Sequence, residues 1–260
     1  MNTNKTIILI SSCDAFSDCW QPLLKSIHDQ WSDNPYDIYL IANSYHNIQG
    51  VRVLNVGPDL GWGTNIINAV EMLPKDVEYV IYIQDDFFLC KPVLQKEIFN
   101  HIEYMKANTV DYLRLSWPWI KDDEASQYNI INPTNNYSLC LQCAIWKRTL
   151  FNQIIEKGWS GWDYERYVHN RIAINQLNIK AFVIKESDFY LKGIEYICAT
   201  GVRKGRWTNS GYDFLKSNGF EDLLGRRLKE PWIIGFCERN NNYLTRFIFL
   251  LYFFVKKHIK

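Results

Sequence analysis

The chain has 260 residues, of which 47% are hydrophobic and 22% charged, enough to enclose a core and too polar for a bundle of membrane spans. Its 29 Lys and Arg against 28 Asp and Glu leave a net charge of +1, so the overall field gives no reason to expect a nucleic-acid partner, and the composition excludes disorder and a disulfide-framed miniprotein. Seven cysteines, an odd number, follow a polar start (MNTNKT) with no secretory pattern, which points to a reducing cytoplasm.

Residues 6–12 (TIILISS) read as a strand, after which Trp20, Leu23, Leu24 and Ile27 recur at helical spacing. Residues 37–42 and 51–56 are two further strand patterns. A glycine-rich turn, GWGTN, leads into a helix over 64–73, and 78–83 (EYVIYI) form a buried strand. The pattern then predicts a helix over 91–108, a strand over 112–116, a polar loop over 122–136, a strand over 139–146 and helices over 147–157 and 162–176. A short strand over 181–184 precedes weaker periodicity from residue 188 onward. Alternating strands and helices predict an α/β fold with a mostly parallel central sheet and helices on both faces, whose ligands lie at the carboxyl ends of the strands.

At the end of the buried strand stand Gln84, Asp85 and Asp86, followed by Phe87 and Phe88. Hard divalent cations such as Mg²⁺ or Mn²⁺ take one or two protein carboxylates and complete their shell with water and phosphate oxygens. Adjacent residues of an extended chain point to opposite sides, so Asp86 is expected to meet the metal and Asp85 a sugar or ribose. The alternative reading is a turn or a helix cap. Trp159-Ser160-Gly161-Trp162-Asp163-Tyr164-Glu165 opens a second candidate site. Asp163 and Glu165 lie near a helix N-terminus, where the dipole favours the ionised form, and Trp162 and Tyr164 offer faces for a sugar. Here the competing reading is that Asp163 only caps the helix and Trp162 only fills the core. Arg203, Lys204 and Arg206 gather in GVRKGRWTN, placed either to face phosphates as a lid or to be a solvated basic loop. Cys140 and Cys143 form a lone C-x-x-C on a strand-like pattern, and five scattered histidines give no zinc spacing.

The order of strand, helix, strand, GWGTN with its helix, strand and acidic pair resembles the nucleotide-binding half of GT-A-fold glycosyltransferases, whose acidic motif takes x-D-D variants. SLCLQCAIWKRTLF followed by GWSGWDYE is similar to bacterial glycosyltransferase-like sequences. The resemblance implies a GT-A-like sheet and a donor, a nucleotide diphosphate sugar with UDP-sugar favoured, held by Ser12, Cys13, Asp14, Trp62, Asn65, Asp85, Arg203, Lys204 and Arg206. It implies Mn²⁺ or Mg²⁺ at Asp86 and Asp85. Gln84 stands where the family often has an acid. A glycan or lipid-linked acceptor would rest on Gln142, Trp162 and Tyr164, with Asp163 first and Glu165 second as the base in an inverting transfer that builds bacterial polysaccharide or lipopolysaccharide.

The expected organisation is one domain over residues 1–240, with 1–90 holding the nucleotide sugar and 91–240 the acceptor and a lid loop. A C-terminal amphipathic helix over 241–260 follows. Its nine apolar residues, 247–255, are too few to span a bilayer, and with the flanking cations of 243–260 they fit peripheral contact with the inner face of a plasma membrane, or packing on the domain. Two other functions compete: a membrane-peripheral carbohydrate-binding or scaffold protein, and a sugar nucleotidyltransferase. The latter needs a glycine-rich basic loop after the first strand, where this chain has SSCDAFSDCW.

Overall fold

The computed structural model describes residues 6–116, 123–197 and 200–231. The expected C-terminal helix over 241–260 lies outside them. The elements are β1 (Thr6–Ser11), a 3-10 segment (Asp14–Cys19), α1 (Trp20–Gln30), β2 (Ile38–Ala42), β3 (Val51–Asn55), α2 (Trp62–Met72), β4 (Tyr79–Gln84) and α3 (Gln95–Asn108). There follow β5 (Tyr112–Arg114), β6 (Asn129–Ile131), β7 (Ala144–Lys147), α4 (Arg148–Ile154), α5 (Gly161–Ile174), β8 (Ala181–Val183), α6 (Phe189–Lys192), β9 (Val202–Arg203), β10 (Arg206–Trp207) and α7 (Asn209–Ser217), then a 3-10 turn (Glu221–Arg226).

Eight strands form one sheet in the order β3-β2-β1-β4-β7-β5-β8-β6. The first four run parallel, β7 runs against β4 and β5, and β6 against β8. All six residues of β1 are buried, as are the first five of β4. Side chains of a strand alternate between faces, so both faces of the sheet centre are covered. This is the α/β fold with a large central sheet expected from the sequence.

β1 and β4 pair in register from Thr6 with Tyr79 to Ser11 with Gln84, and the Asp85 N–H continues the ladder to the Ser11 carbonyl at 3.2 Å. Ser12 and Asp85 therefore leave the sheet side by side, at its carboxyl edge.

Most boundaries shift by a residue or a few from the sequence pattern, and three departures have a local reason. The helix expected from residue 91 begins at Gln95, because Pro92 disfavours helical backbone before it and the Val93 N–H donates to the Gln30 carbonyl at 2.7 Å. The strand expected over 139–146 is only Ala144–Lys147. Side chains bond the backbone ahead of it: Tyr112 Oη donates to the Cys140 carbonyl, Gln84 Nε2 to the Leu141 carbonyl, and Glu165 accepts the Leu141 N–H, each at 3.0 Å. The polar stretch expected to be a loop contains β6, which closes the far edge of the sheet.

Candidate active site

A cavity of about 760 Å³ opens at the carboxyl edge of the parallel strands. It joins the two acidic segments that lie some eighty residues apart in sequence: Asp85 and Asp86 form one part of the wall, Glu165 and Trp162 another, and Arg203, Lys204 and Gly205 a third. Ser12, Cys13, Trp62, Asn65 and Gln142 also face it.

Glycines bring α2 to this cavity. Gly63 N–H donates to the Trp159 carbonyl at 2.7 Å, and a Cβ on Gly63 would lie 2.2 Å from the Glu156 carbonyl oxygen. The start of α2 thus rests directly on the loop that opens α5. Gly61, with a φ of 93°, makes the turn that allows it. Trp62 then forms a wall, its Nε1–H shared between Ser11 Oγ at 3.1 Å and Tyr82 Oη at 3.2 Å. Asn65 donates to Asp59 Oδ1 at 2.9 Å while its own Oδ1 is buried without a partner.

The acidic pair is buried, at 7% and 5% relative exposure. Asp85 Oδ2 accepts the Ser12 hydroxyl, which itself accepts Trp20 Nε1–H at 2.6 Å. Ser12 therefore orients Asp85, because its hydroxyl proton is already committed. Asp86 Oδ2 accepts Thr200 Oγ1–H and, at 3.1 Å, the Val202 N–H, whereas Oδ1 is buried with no partner. Burial raises both carboxyls above their usual range, the Asp86 charge raises Asp85 further, and the bonds from Thr200 and Val202 hold Asp86 back in part. Two adjacent buried acids on the cavity wall, one with an unpartnered oxygen, are a donor set that a hard divalent cation fits. Among the described residues no three His, Cys, Asp or Glu side chains gather into a larger metal cluster, so such a cation would complete its shell with water and ligand oxygens. Burial also pushes the Cys13 thiol up to about 11, aided by Asp59 and Asp85, which leaves it neutral.

Glu165 and Asp163 separate clearly. Asp163 closes a capping box at the start of α5, accepting Ser160 N–H at 3.0 Å and Ser160 Oγ–H at 2.6 Å while its own N–H donates to Ser160 Oγ at 3.1 Å. The Ser160 hydroxyl first and the Ser160 N–H second hold it below its usual value, and it does not line the cavity. Two residues on, Glu165 does line it. Burial raises this carboxyl, only partly offset by the Leu141 N–H on Oε1. Asp163 thus completes the capping box with the N-cap Ser160, and Glu165 is the one of the two acids that lines the cavity.

Other expected positions also move. Tyr164 is fully buried, its ring 5.1 Å from that of Trp62 and 6.2 Å from that of Trp146, so it is core rather than an acceptor face. Trp162, 74% exposed at the rim, keeps a free face. Gln142 faces the cavity from the turn before β7 and accepts Tyr196 Oη–H. Asp14 does not line the cavity; it binds the Asn43 N–H at 2.8 Å and Ser44, tying the 3-10 segment to the end of β2. Arg206 likewise stays outside the lining, although it pairs across the hairpin with Arg203 in β9. Cys140 and Cys143 are separate buried thiols. Sequence reasoning missed Phe16 in the wall, and Thr200 and Glu230, whose roles come from contacts over 114 and 27 residues respectively.

No family model matches the chain, and no curated protein sequence matches it. Among solved structures it is similar to S. aureus TarS 1-349, at 13% identity and a TM-score of 0.48, over 82% of this chain and 64% of that one, so it spans just under two thirds of that fragment, and 38% of the TarS chain in a second structure. It is also similar to the catalytic domain of Drosophila beta1,4galactosyltransferase 7 in complex with xylobiose, at 12% identity and a TM-score of 0.45, over 76% of this chain and 73% of that one. A third is a cytidylyltransferase from Leptospira borgpetersenii, at 12% identity and a TM-score of 0.41, over 70% and 76% of the two chains. A galactosyltransferase and a cytidylyltransferase thus both stand among the similar structures, and neither decides the chemistry. No helix among the described residues is long and apolar enough to cross a membrane.

Proposed function

We propose that the protein is a GT-A-like glycosyltransferase that moves a sugar from a nucleotide diphosphate to a hydroxyl of a glycan or lipid-linked acceptor, by a single inverting displacement. The observation that carries this reading is the shared cavity: buried Asp85 and Asp86 lie on one wall, the raised carboxyl of Glu165 on another, and two cations at the lip. The diphosphate end of the donor belongs beside Arg203 and Lys204, whose charge opposes that of the leaving group. Asp85 and Asp86 would hold a divalent cation, which would supply further positive charge to the leaving group. Trp62 and Asn65 flank the donor sugar and ribose, and Cys13 the nucleotide.

Glu165 takes the proton of the acceptor hydroxyl as its oxygen attacks the anomeric carbon. A base must be ionised yet not too weak, and a carboxyl raised by burial meets that need better than the depressed Asp163. The Leu141 N–H fixes Glu165 Oε1 and leaves Oε2 for the hydroxyl. Trp162 offers its exposed face to the acceptor ring.

A nucleotidyl transfer would attack a phosphorus and release pyrophosphate, and it needs cations at the first strand end. Ser12, Cys13 and Asp14 stand there instead, whereas the cavity's cations come from β9 and the turn after it. The test is a thermal-shift screen of UDP-, GDP-, CDP- and dTDP-sugars and of the nucleoside triphosphates, with and without Mn²⁺, since a ligand of the native state raises its melting temperature. A rise with one sugar nucleotide, larger in Mn²⁺, is expected. A rise with nucleoside triphosphates alone would overturn the reading.

A further inference from the structure

The Asp86 carboxylate is divided between two directions. Oδ2 accepts Thr200 Oγ1–H and the Val202 N–H, and the Asp86 main-chain carbonyl accepts the Gly201 N–H at 2.8 Å. Position 201 has no room for a side chain, because a Cβ there would lie 2.8 Å from the Phe88 ring and 3.0 Å from the Asp86 carbonyl oxygen. From the other side, Thr208 N–H donates to the Gly201 carbonyl at 2.9 Å and Thr208 Oγ1 to the Thr200 carbonyl at 2.7 Å. Residues 200–202 are thus clamped between the end of β4 and the start of α7. Directly beyond the clamp the chain turns through Lys204 and Gly205, at φ values of 49° and 72°, and delivers Arg203 and Lys204 to the cavity. Glu230 braces this turn, with Oε2 3.3 Å from Arg203 and Oε1 accepting the Asn209 N–H at 2.8 Å. Oδ1 of Asp86 remains the orphan.

We propose that Thr200 is a positioning residue whose hydroxyl ties the Arg203–Lys204 turn to Asp86, so that a cation at Asp86 Oδ1 and the placement of the two phosphate-facing side chains are one coupled event. The ligand side of this coupling rests on the donor-site reading above; the tie itself does not. A cation at Oδ1 fixes the carboxylate plane, which aims Oδ2 at Thr200 and Val202. By linkage, an ordered turn then binds the diphosphate more tightly, and the diphosphate in turn holds the cation.

The test compares wild type with Thr200→Val, which keeps the branched shape and removes the donor, and with Thr200→Ser, which keeps the donor. Trypsin cleavage after Arg203 and Lys204, identified by fragment mass, is timed in the apo proteins and with Mn²⁺ plus UDP. Apo Thr200→Val should be cut about tenfold faster, the factor expected from one hydrogen bond to a charged acceptor, while its melting temperature falls by no more than a few degrees and Thr200→Ser behaves as wild type. Mn²⁺ plus UDP should slow cleavage in wild type and Thr200→Ser, and much less in Thr200→Val. Equal apo cleavage of Thr200→Val and wild type overturns the tie. Faster apo cleavage with equal protection overturns the coupling. Faster apo cleavage with no protection in any protein keeps the tie and overturns the donor reading. Should Thr200→Val fail to fold, amide hydrogen exchange in wild type decides: Mn²⁺ plus UDP should slow residues 201–203, and unchanged exchange, with calorimetry showing UDP bound, overturns the coupling.

Discussion

Glu165 and Leu141 are joined by one hydrogen bond, Leu141 N–H to Glu165 Oε1 at 3.0 Å, and Gln84 Nε2 holds the carbonyl of the same Leu141, also at 3.0 Å. One residue thereby ties the end of β4, where the acidic pair begins, to the second turn of α5, where Glu165 sits. An amide at position 84 sets this link. A carboxylate there could not donate to the Leu141 carbonyl.

Glu165→Gln keeps a carbonyl oxygen for the Leu141 N–H and removes the proton acceptor. Transfer should fall by about 10²- to 10⁴-fold, the range for losing a positioned base. Asp163→Ala should keep most of its activity and lose helix stability through the capping box. Initial rates beside thermal melts separate the two, and full activity in Glu165→Gln would remove it from the mechanism.

The pH dependence follows from the same carboxyl. Because burial raises it in the folded state, the folded protein binds that proton more tightly than the unfolded chain. Its stabilising contribution is complete below the usual value of 4.5 and is lost as pH rises through the folded-state value. Wild type should therefore lose melting temperature relative to Glu165→Gln across that window, while its transfer rate rises as the carboxylate forms. Parallel curves for the two proteins would contradict this.

Asp85 and Asp86 carry the same sign, since both are raised by burial. A cation that binds only the folded state at a hundred times its Kd stabilises by about 2.7 kcal/mol. Mn²⁺ titrated against the melting temperature should give a saturating rise in wild type and little in Asp85→Asn, whose apo form should melt no lower than wild type. An equal rise in both proteins would place the metal elsewhere.

Much of this was legible in the sequence. The parallel half of the sheet showed itself because β1, β2 and β4 are unbroken apolar runs, the mark of strands buried on both sides. The acidic pair was legible because it ends such a run. Asp163 could not be separated from Glu165 in sequence because an acid three residues after a serine suits a capping box and a catalytic base alike, and it is burial that distinguishes the two positions. The 139–143 segment alternates like a strand, yet its backbone partners are the side chains of Tyr112, Gln84 and Glu165, contacts that no local pattern carries. Thr200 and Glu230 gave no signal at all, since each acts only through residues brought near by the whole fold.

Packing at Gly63 offers a test of the architecture apart from chemistry. Gly63→Ala would force its methyl to within 2.2 Å of the Glu156 carbonyl oxygen, and backbone cannot yield as a side-chain tip does. A loss of about 3 kcal/mol or more is expected in urea unfolding, at the upper end for overpacked sites. Gly225→Ala, where an added Cβ meets nothing within 4 Å, should be near neutral.

The central claim is that Asp85, Asp86 and Glu165 act on one bound sugar nucleotide. Its most direct test is release of nucleoside diphosphate from a panel of UDP-, GDP-, CDP- and dTDP-sugars in Mn²⁺, by wild type, Asp85→Asn and Glu165→Gln. The account predicts slow release of one nucleoside diphosphate by wild type and near-complete loss in both variants. Release unchanged in either variant, or formation of pyrophosphate from a nucleoside triphosphate and a sugar phosphate, would contradict it.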